Sequence, residues 1–276
     1  MIFVKNMNVI PKSKSEAFVP ADIVNLIIQN SGTNSILVGG QALAFWAKKY
    51  EIVSQDEGGL LTRDVDILAP NASDVFLMNS CARLLNGLKV YPSKHALTAL
   101  IGQIVKNVSD SEYWNVDILH KLLFATDGVR KRSVNVSGIP CKIMHPLDVL
   151  SSRLINLHKL PDKQNASGQL QLVVAIAIAR SFLKEQYTAS ENMRPFMHSI
   201  VGLVKSDAGR KIVDRHNIHV ADSLIPEAFD INDNFLDHHL KFLLNSMSND
   251  YRNVFEDQVN FMVQTGNNHD FEHSKY

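Results

Sequence analysis

Two short segments that have the pattern of buried strands constrain the fold most. The first is the apolar run Ser35–Val38, which stops at Gly39 and Gly40 and continues into helix-forming residues, as a strand that turns directly into a helix does. The second contains Asp64 and Asp66, separated and followed by branched apolar residues. Because side chains alternate along a strand, these two carboxylates share one face, with Cα atoms about 6–7 Å apart.

A third carboxylate, Asp117, occurs in the later apolar segment Asn115–Leu119. Asp is depleted in strands, and burying several unpaired carboxylates is unfavourable, so a purely structural role explains the three poorly. Carboxylate oxygens suit Mg²⁺, and two ions about 3.5–4 Å apart can bind the attacking and leaving oxygens of a phosphoryl transfer. We therefore predict that Asp64, Asp66 and Asp117 are metal ligands and catalytic residues.

The glycine pair predicts a phosphate-binding turn. A helix that begins at Gly39 and Gly40 directs free N–H groups and its positive dipole end at an anion. Gln41 belongs to the same turn, and the hydroxyl of Thr62 precedes the Asp64 strand. A Gly-Gly pair alone is also typical of an ordinary tight turn, but the aspartates that follow favour the phosphate interpretation. We predict that Gly39, Gly40, Gln41 and Thr62 contact the nucleotide.

Together these motifs resemble the nucleotidyltransferase superfamily, and most closely its branch of AbiEii-type bacterial toxins. The resemblance covers roughly residues 1–150. One departure is the long stretch between the glycines and the aspartates, in which residues 50–61 form an apparent insertion. The resemblance implies a polymerase-beta-like mixed sheet and Mg²⁺-dependent transfer of a nucleoside monophosphate from an NTP to a macromolecule. It further implies tRNA as the acceptor, a toxin or phage-defence role, and a cognate antitoxin partner.

Other functions remain open on the sequence alone. The chain could be a catalytically silent nucleotidyltransferase fold that binds a nucleotide or partner, or an adenylyltransferase of small molecules such as antibiotics. Arg153 stands where AbiEii-like proteins have a basic residue, more often lysine, that reaches the triphosphate, and it is either such a nucleotide ligand or a solvated charge. A sheet that carries the three carboxylates offers one wall of a cleft, so we expect the active site between the two domains. The run Arg130–Arg132 is either an RNA contact or an exposed turn.

Composition indicates a soluble globular protein. Hydrophobic residues make up 45% of the 276, and 28 basic residues balance 28 acidic ones, so no overall basic field favours nucleic acid. The two cysteines and the absence of a signal-like start or an 18-residue apolar run predict a cytoplasmic protein without a membrane span. The histidine pairs His238–His239 and His269 with His273 lack the ligand pattern of a zinc site.

The predicted fold class is α/β of the α+β type: a small mixed-sheet domain followed by an all-helical one. We expect the sheet domain at residues 1–145, the helical domain at 146–264 and a flexible tail at 265–276. A hairpin of strands 133–137 and 141–144 is expected to end the sheet. The helix around residues 172–180 is apolar nearly all round and is expected to be the buried centre of the second domain.

Overall fold

The computed structural model describes residues 14–32, 34–52, 63–69, 71, 75–93, 98–122, 129–136, 138–228 and 234–272. For 234–237 and 262–272 it describes the backbone alone. The chain divides into two compact units, Met1–Ser152 and Arg153–Tyr276. The division falls inside a helix, Pro146–Lys159, rather than in a linker.

A single mixed sheet organises the first unit. Its strands are β1 Ser15–Glu16, β2 Ile36–Leu37, β3 Val65–Leu68, β4 Leu88–Val90, β5 Leu100–Asn107, β6 Glu112–Leu119, β7 Lys131–Val136 and β8 Ile139–Met144. The strand order is β4-β5-β6-β3-β2-β8-β7, and β1 pairs with β6. Strand β3 lies parallel to β6 and antiparallel to β2, whereas β5 is antiparallel to β6. The sheet is therefore mixed around β3 and β6.

Helices pack on this sheet. They are α1 Ala21–Asn30, α2 Gly39–Lys49 and α3 Val75–Leu85. Helix α2 follows β2 after one residue and packs against β3, while α1 contacts α3 and β8. Trp46 of α2 is fully buried, and its indole N–H donates to the Met144 carbonyl at 2.8 Å. This bond joins α2 to the end of β8, so the helix that begins at the glycines is anchored on the sheet.

The predicted hairpin forms, with a correction at its turn. Strand β8 begins at Ile139, so Pro140 lies inside the strand rather than in the connection. Pro140 faces Asn135 of β7, but the pairing of β8 with β2 involves only Lys142 and Ile143. Because proline lacks an N–H, it is tolerated where one side of the strand has no ladder partner. The sequence analysis also missed β1, whose two residues are too few to show a period.

The second unit is helical. After α4, Pro146–Lys159, its helices are α5 Ala166–Thr188, α6 Arg194–Lys205, α7 Asp207–His216, α8 Asn234–Asn245 and α9 Asn249–Glu272, with 3-10 helices at Pro161–Lys163, Val220–Ser223 and Pro226–Ala228. Helix α7 was not predicted, because its residues are mostly polar; Ser206 caps it by accepting from the Gly209 N–H at 3.0 Å. The predicted α+β class, a mixed sheet followed by helices, is confirmed.

Helix α5 forms the centre of this unit, as expected. Leu172, Phe182 and Leu183 are fully buried, and Phe182 packs edge-on to Phe196 at 5.2 Å. Burial is not complete around the helix, since Val173 is 49% exposed. Among the described residues α5 alone is long and apolar enough to cross a membrane, and half of its most apolar window is buried in the protein. The last helix, α9, runs through Glu272, so the flexibility predicted for residues 265–276 stays a prediction.

Candidate metal centre

The pairing of β3 with β6 places two of the predicted aspartates side by side. In this parallel pair Asp66 lies directly opposite Asp117, and neighbouring strands lie about 4.8 Å apart. The alternate residues of both strands point to the other side of the sheet, where Val65, Val116 and Ile118 are fully buried. The apolar face thus fixes the register, and a slip of one residue would send a carboxylate into the core.

Asp64 completes the group. It lies just before β3, and Asp64, Asp66 and Asp117 each offer one carboxylate oxygen within 4.8 Å of the other two. Oxygens bound to one Mg²⁺ lie no more than about 4.2 Å apart, twice the metal–oxygen distance, so small side-chain rotations would bring all three to one ion. All three side chains are half-buried. A set of hard oxygen donors with this spacing fits a divalent cation.

Gly39 is required next to this group. Its φ of +62° lies in the left-handed region that favours glycine, and a Cβ added there would overlap the Asp66 carboxylate. Helix α2 begins at Gly39, and the preceding Val38 provides no side-chain cap. The helix N-terminus and its positive dipole end therefore lie beside Asp66. A larger residue at position 39 would displace either the backbone or the carboxylate.

The Gln41 side chain hydrogen-bonds the backbone just before β3. Its Nε2 donates to the Asp64 carbonyl at 3.2 Å, which ties the first turn of α2 to the residue before β3. This contact assigns Gln41 a supporting position beside the aspartates; its predicted nucleotide contact stays a prediction. Gly40 is buried in the same turn.

The Asp117 carboxylate lies in a perturbed environment. Burial raises its pKa, hydrogen bonds from Gln103 and Asn115 lower it, and the nearby Asp64 charge raises it; the net shift is upward. The donors are the Gln103 Nε2 at 2.9 Å and the Asn115 Nδ2 at 2.8 Å, both to Asp117 Oδ1. Burial and, to a smaller extent, the Asp64 charge disfavour the ionised carboxylate, and a cation bound beside it would favour that ionised form.

Sequence reasoning missed a fourth acidic residue, Glu16, which lies on β1. Burial raises its pKa, and so do the charges of Asp64 and Asp117, while a hydrogen bond from the Asn115 side chain lowers it. Strand β1 pairs with the start of β6, where Glu16 lies opposite Tyr113, and β3 pairs with the later residues of β6. No local signal marks Glu16, because its proximity to the aspartates depends on pairing between distant segments.

Other predicted site residues have different positions. Thr62 and most of the insertion at residues 50–61 lie outside the described residues. Arg153 belongs to the second unit, is 8% exposed, and donates from Nη1 to Gln171 Oε1 at 3.0 Å; its role at a triphosphate stays a prediction. Within the run Arg130–Arg132, Arg130 forms an ion pair with Asp148, in which its Nε and Nη2 both contact Oδ1.

Comparisons with known proteins give two partial likenesses in fold. No protein-family model and no curated protein matches the sequence. The crystal structure of the Megavirus polyadenylate synthase is similar at 17% identity and a TM-score of 0.40, over 57% of this chain and 30% of that one. An antigenic nucleotidyltransferase-like protein from Paracoccidioides brasiliensis is similar at 12% identity and a TM-score of 0.35, over 65% and 82%. We base the function of this chain on the geometry of its three carboxylates.

Proposed function

We propose that this protein is a nucleotidyltransferase that depends on a divalent cation, in the first instance Mg²⁺, and uses a nucleoside triphosphate as donor. The observation that supports it most is the convergence of Asp64, Asp66 and Asp117, with one oxygen of each within 4.8 Å of the others. The strand-to-helix turn at Gly39 and Gly40, directly beside Asp66, supplies the N–H groups and dipole that bind phosphate.

In this proposal an acceptor hydroxyl attacks the α-phosphorus of the NTP. A new oxygen–phosphorus bond forms, the bond between the α-phosphorus and the bridging oxygen breaks, pyrophosphate leaves, and the hydroxyl proton passes to solvent. The three aspartates would hold the cation, which would supply neutralisation of charge on the phosphoryl oxygens. The α2 N-terminus orients the phosphates, and Gln41 holds the Asp64 backbone in place. We assign Arg153 to the triphosphate and Thr62 to a phosphate oxygen.

The acceptor and the biological role follow from the sequence resemblance. The Gly-Gly turn and the spaced aspartates resemble AbiEii-type toxins, which favours tRNA as acceptor, a toxin or phage-defence role in the cytoplasm, and a neutralising partner protein. Lys131, exposed on the edge strand β7, is available for an RNA backbone, whereas Arg130 is held by Asp148.

The test is label transfer. Each of four α-labelled NTPs is incubated with Mg²⁺, total RNA and cell lysate, using wild type, Asp66→Asn and the matched control Asp214→Asn, an exposed aspartate on α7. We expect labelled RNA with wild type and Asp214→Asn, and a loss of at least about 100-fold with Asp66→Asn, since a ligand of the reacting complex is removed.

The outcomes separate the candidate functions. Label on tRNA supports the full proposal, and label on a protein or an added aminoglycoside keeps the nucleotidyltransferase but changes the acceptor. Equal signals from wild type and folded Asp66→Asn, or no label with any NTP, contradict the enzymatic assignment. If no NTP gives label, Mg²⁺-independent nucleotide binding measured by calorimetry would identify a binding module.

A further inference from the structure

The two oxygens of the Asp117 carboxylate are not equivalent. Oδ1 accepts two N–H bonds, from Gln103 Nε2 at 2.9 Å and from Asn115 Nδ2 at 2.8 Å. A carboxylate oxygen has two lone pairs, so these donors use the capacity of Oδ1. The oxygen left for a cation is Oδ2.

Both donors are fixed by the sheet rather than by chance orientation at a surface. Gln103 is the residue of β5 directly opposite Asp117 in the antiparallel ladder. Asn115 lies two residues before Asp117 on the same face of β6 and is 7% exposed. Its side chain also hydrogen-bonds Glu16, and its own Oδ1 is buried without a hydrogen-bond partner among the described residues. The Asn115 amide therefore acts here through its donor side.

We propose that Gln103 and Asn115 are positioning residues that bind Oδ1 of Asp117 and thereby direct Oδ2 alone at the cation. This inference rests on the metal-binding part of the proposed function. It adds a pair of residues outside the aspartate triad and gives each Asp117 oxygen a separate task.

The proposal predicts an unusual effect of Asp117→Asn. An asparagine at this position would direct its amide oxygen to the two N–H donors, because its NH₂ group cannot accept from them. The NH₂ group would then face the cation and could not bind it. Asp117→Asn should therefore abolish the ligand as completely as Asp117→Ala. When the donors are removed, the asparagine can rotate its oxygen to the ion, so part of the affinity should return.

The experiment measures Mn²⁺ binding by electron paramagnetic resonance, with Mn²⁺ as the probe and the full chain without nucleotide. Gln103→Met and Asn115→Leu remove one donor each at similar volume, and Asn135→Leu on the exposed edge strand β7 is the matched control. We expect each donor variant to weaken Mn²⁺ binding by about 10- to 100-fold, the usual effect of losing an outer partner of a metal ligand. The control should stay within about twofold of wild type.

Combined variants provide the decisive readout. In the background that lacks both donors, Asp117→Asn should bind Mn²⁺ more tightly than Asp117→Ala, whereas in the wild-type background the two should be equally weak. Equal affinities in both backgrounds, donor variants within twofold of wild type, or a wild type that binds no Mn²⁺ would each overturn the proposal. If Asn115→Leu does not fold, the half-buried Gln103 carries the same comparison alone. If no label is transferred but the Mn²⁺ affinities are as expected, the enzymatic function is refuted and the positioning role of Gln103 and Asn115 is supported.

Discussion

Replacing Gly39 by alanine tests the close approach between the α2 N-terminus and Asp66. Alanine at φ +62° costs roughly 1–2 kcal/mol for the left-handed backbone alone. Its Cβ would also overlap the Asp66 carboxylate, so either Asp66 rotates away or the strand and helix separate. For a unit of about 150 residues, each kcal/mol corresponds to about 2–4 °C, so the backbone contribution alone lowers the melting temperature by roughly 2–8 °C.

A matched control separates strain from overlap. Gly32 has a φ of +82°, and a Cβ there would meet nothing within 4 Å. Gly32→Ala should therefore lower the melting temperature by the backbone contribution and leave Mn²⁺ affinity unchanged. Gly39→Ala should lower the melting temperature by more and weaken Mn²⁺ binding by at least about 10-fold, because Asp66 is displaced.

Calorimetric melting and Mn²⁺ titration of the two variants check this reasoning. If Gly39→Ala matches Gly32→Ala in both measurements, the Asp66 carboxylate does not need the space above Gly39, and the proposed geometry of the turn is wrong. If Gly39→Ala loses stability but keeps its Mn²⁺ affinity, the overlap is relieved by the backbone, and Asp66 stays in position.

Three further predictions address charge. Burial and the nearby arginines lower the pKa of His145 to about 3, so below pH 6.5 the native state binds fewer protons than the unfolded chain. The free energy of unfolding should therefore fall by about 1.4 kcal/mol per pH unit on acidification. In urea unfolding this fall should be smaller for His145→Asn, which can still accept the Leu147 N–H. Because Asp64 raises the pKa of Asp117, Asp64→Asn should raise the melting temperature of metal-free protein at pH 7, and saturating Mg²⁺ should remove that difference. Arg153→Ala should weaken nucleotide binding severalfold or more in calorimetry; an equal loss in Gln171→Met would show that the hydrogen bond, not the charge, matters.

The acid-limb prediction follows from the sign of one shift, and the Asp64 prediction from the opposite one. A base whose pKa falls on folding, such as His145, stabilises the native state above its unfolded value and loses that stability as pH falls. An acid whose pKa rises on folding, such as Asp117, destabilises the native state at a pH where it is ionised in both the native and the unfolded protein. Stability therefore falls as pH rises through the native pKa. The two shifts therefore give opposite slopes of stability against pH in the metal-free protein.

The sequence predicted the elements whose signal is local. Alternation identified the strands that carry Asp66 and Asp117, and the apolar run that ends in two glycines identified the turn from β2 into α2. Residues whose role depends on strand pairing could not be found in this way. Gln103 lies opposite Asp117 only because β5 and β6 pair in one register, and Glu16 approaches the aspartates only because β1 pairs with β6.

Other differences have equally specific causes. Helix α7 was missed because Ala208, Ile212 and Val213 are its only apolar side chains, and its Ser206 cap became evident from the bond to the Gly209 N–H. Pro140 was assigned to a turn because proline usually interrupts a sheet, but β2 is too short to need its missing N–H. For Pro140 a neighbouring strand decided the outcome, and the local sequence did not contain that information.

The register between β3 and β6 has a consequence for how the protein acquires its native state. Asp66 and Asp117 face each other across two strands that are far apart in the chain and become neighbours only when that non-local pairing is complete. Contacts of this kind close slowly, after local helices have formed. The time course of cation binding during refolding would thus report when the central strands pair. A collapsed chain with helices but an unpaired β3 would not yet bring these oxygens together.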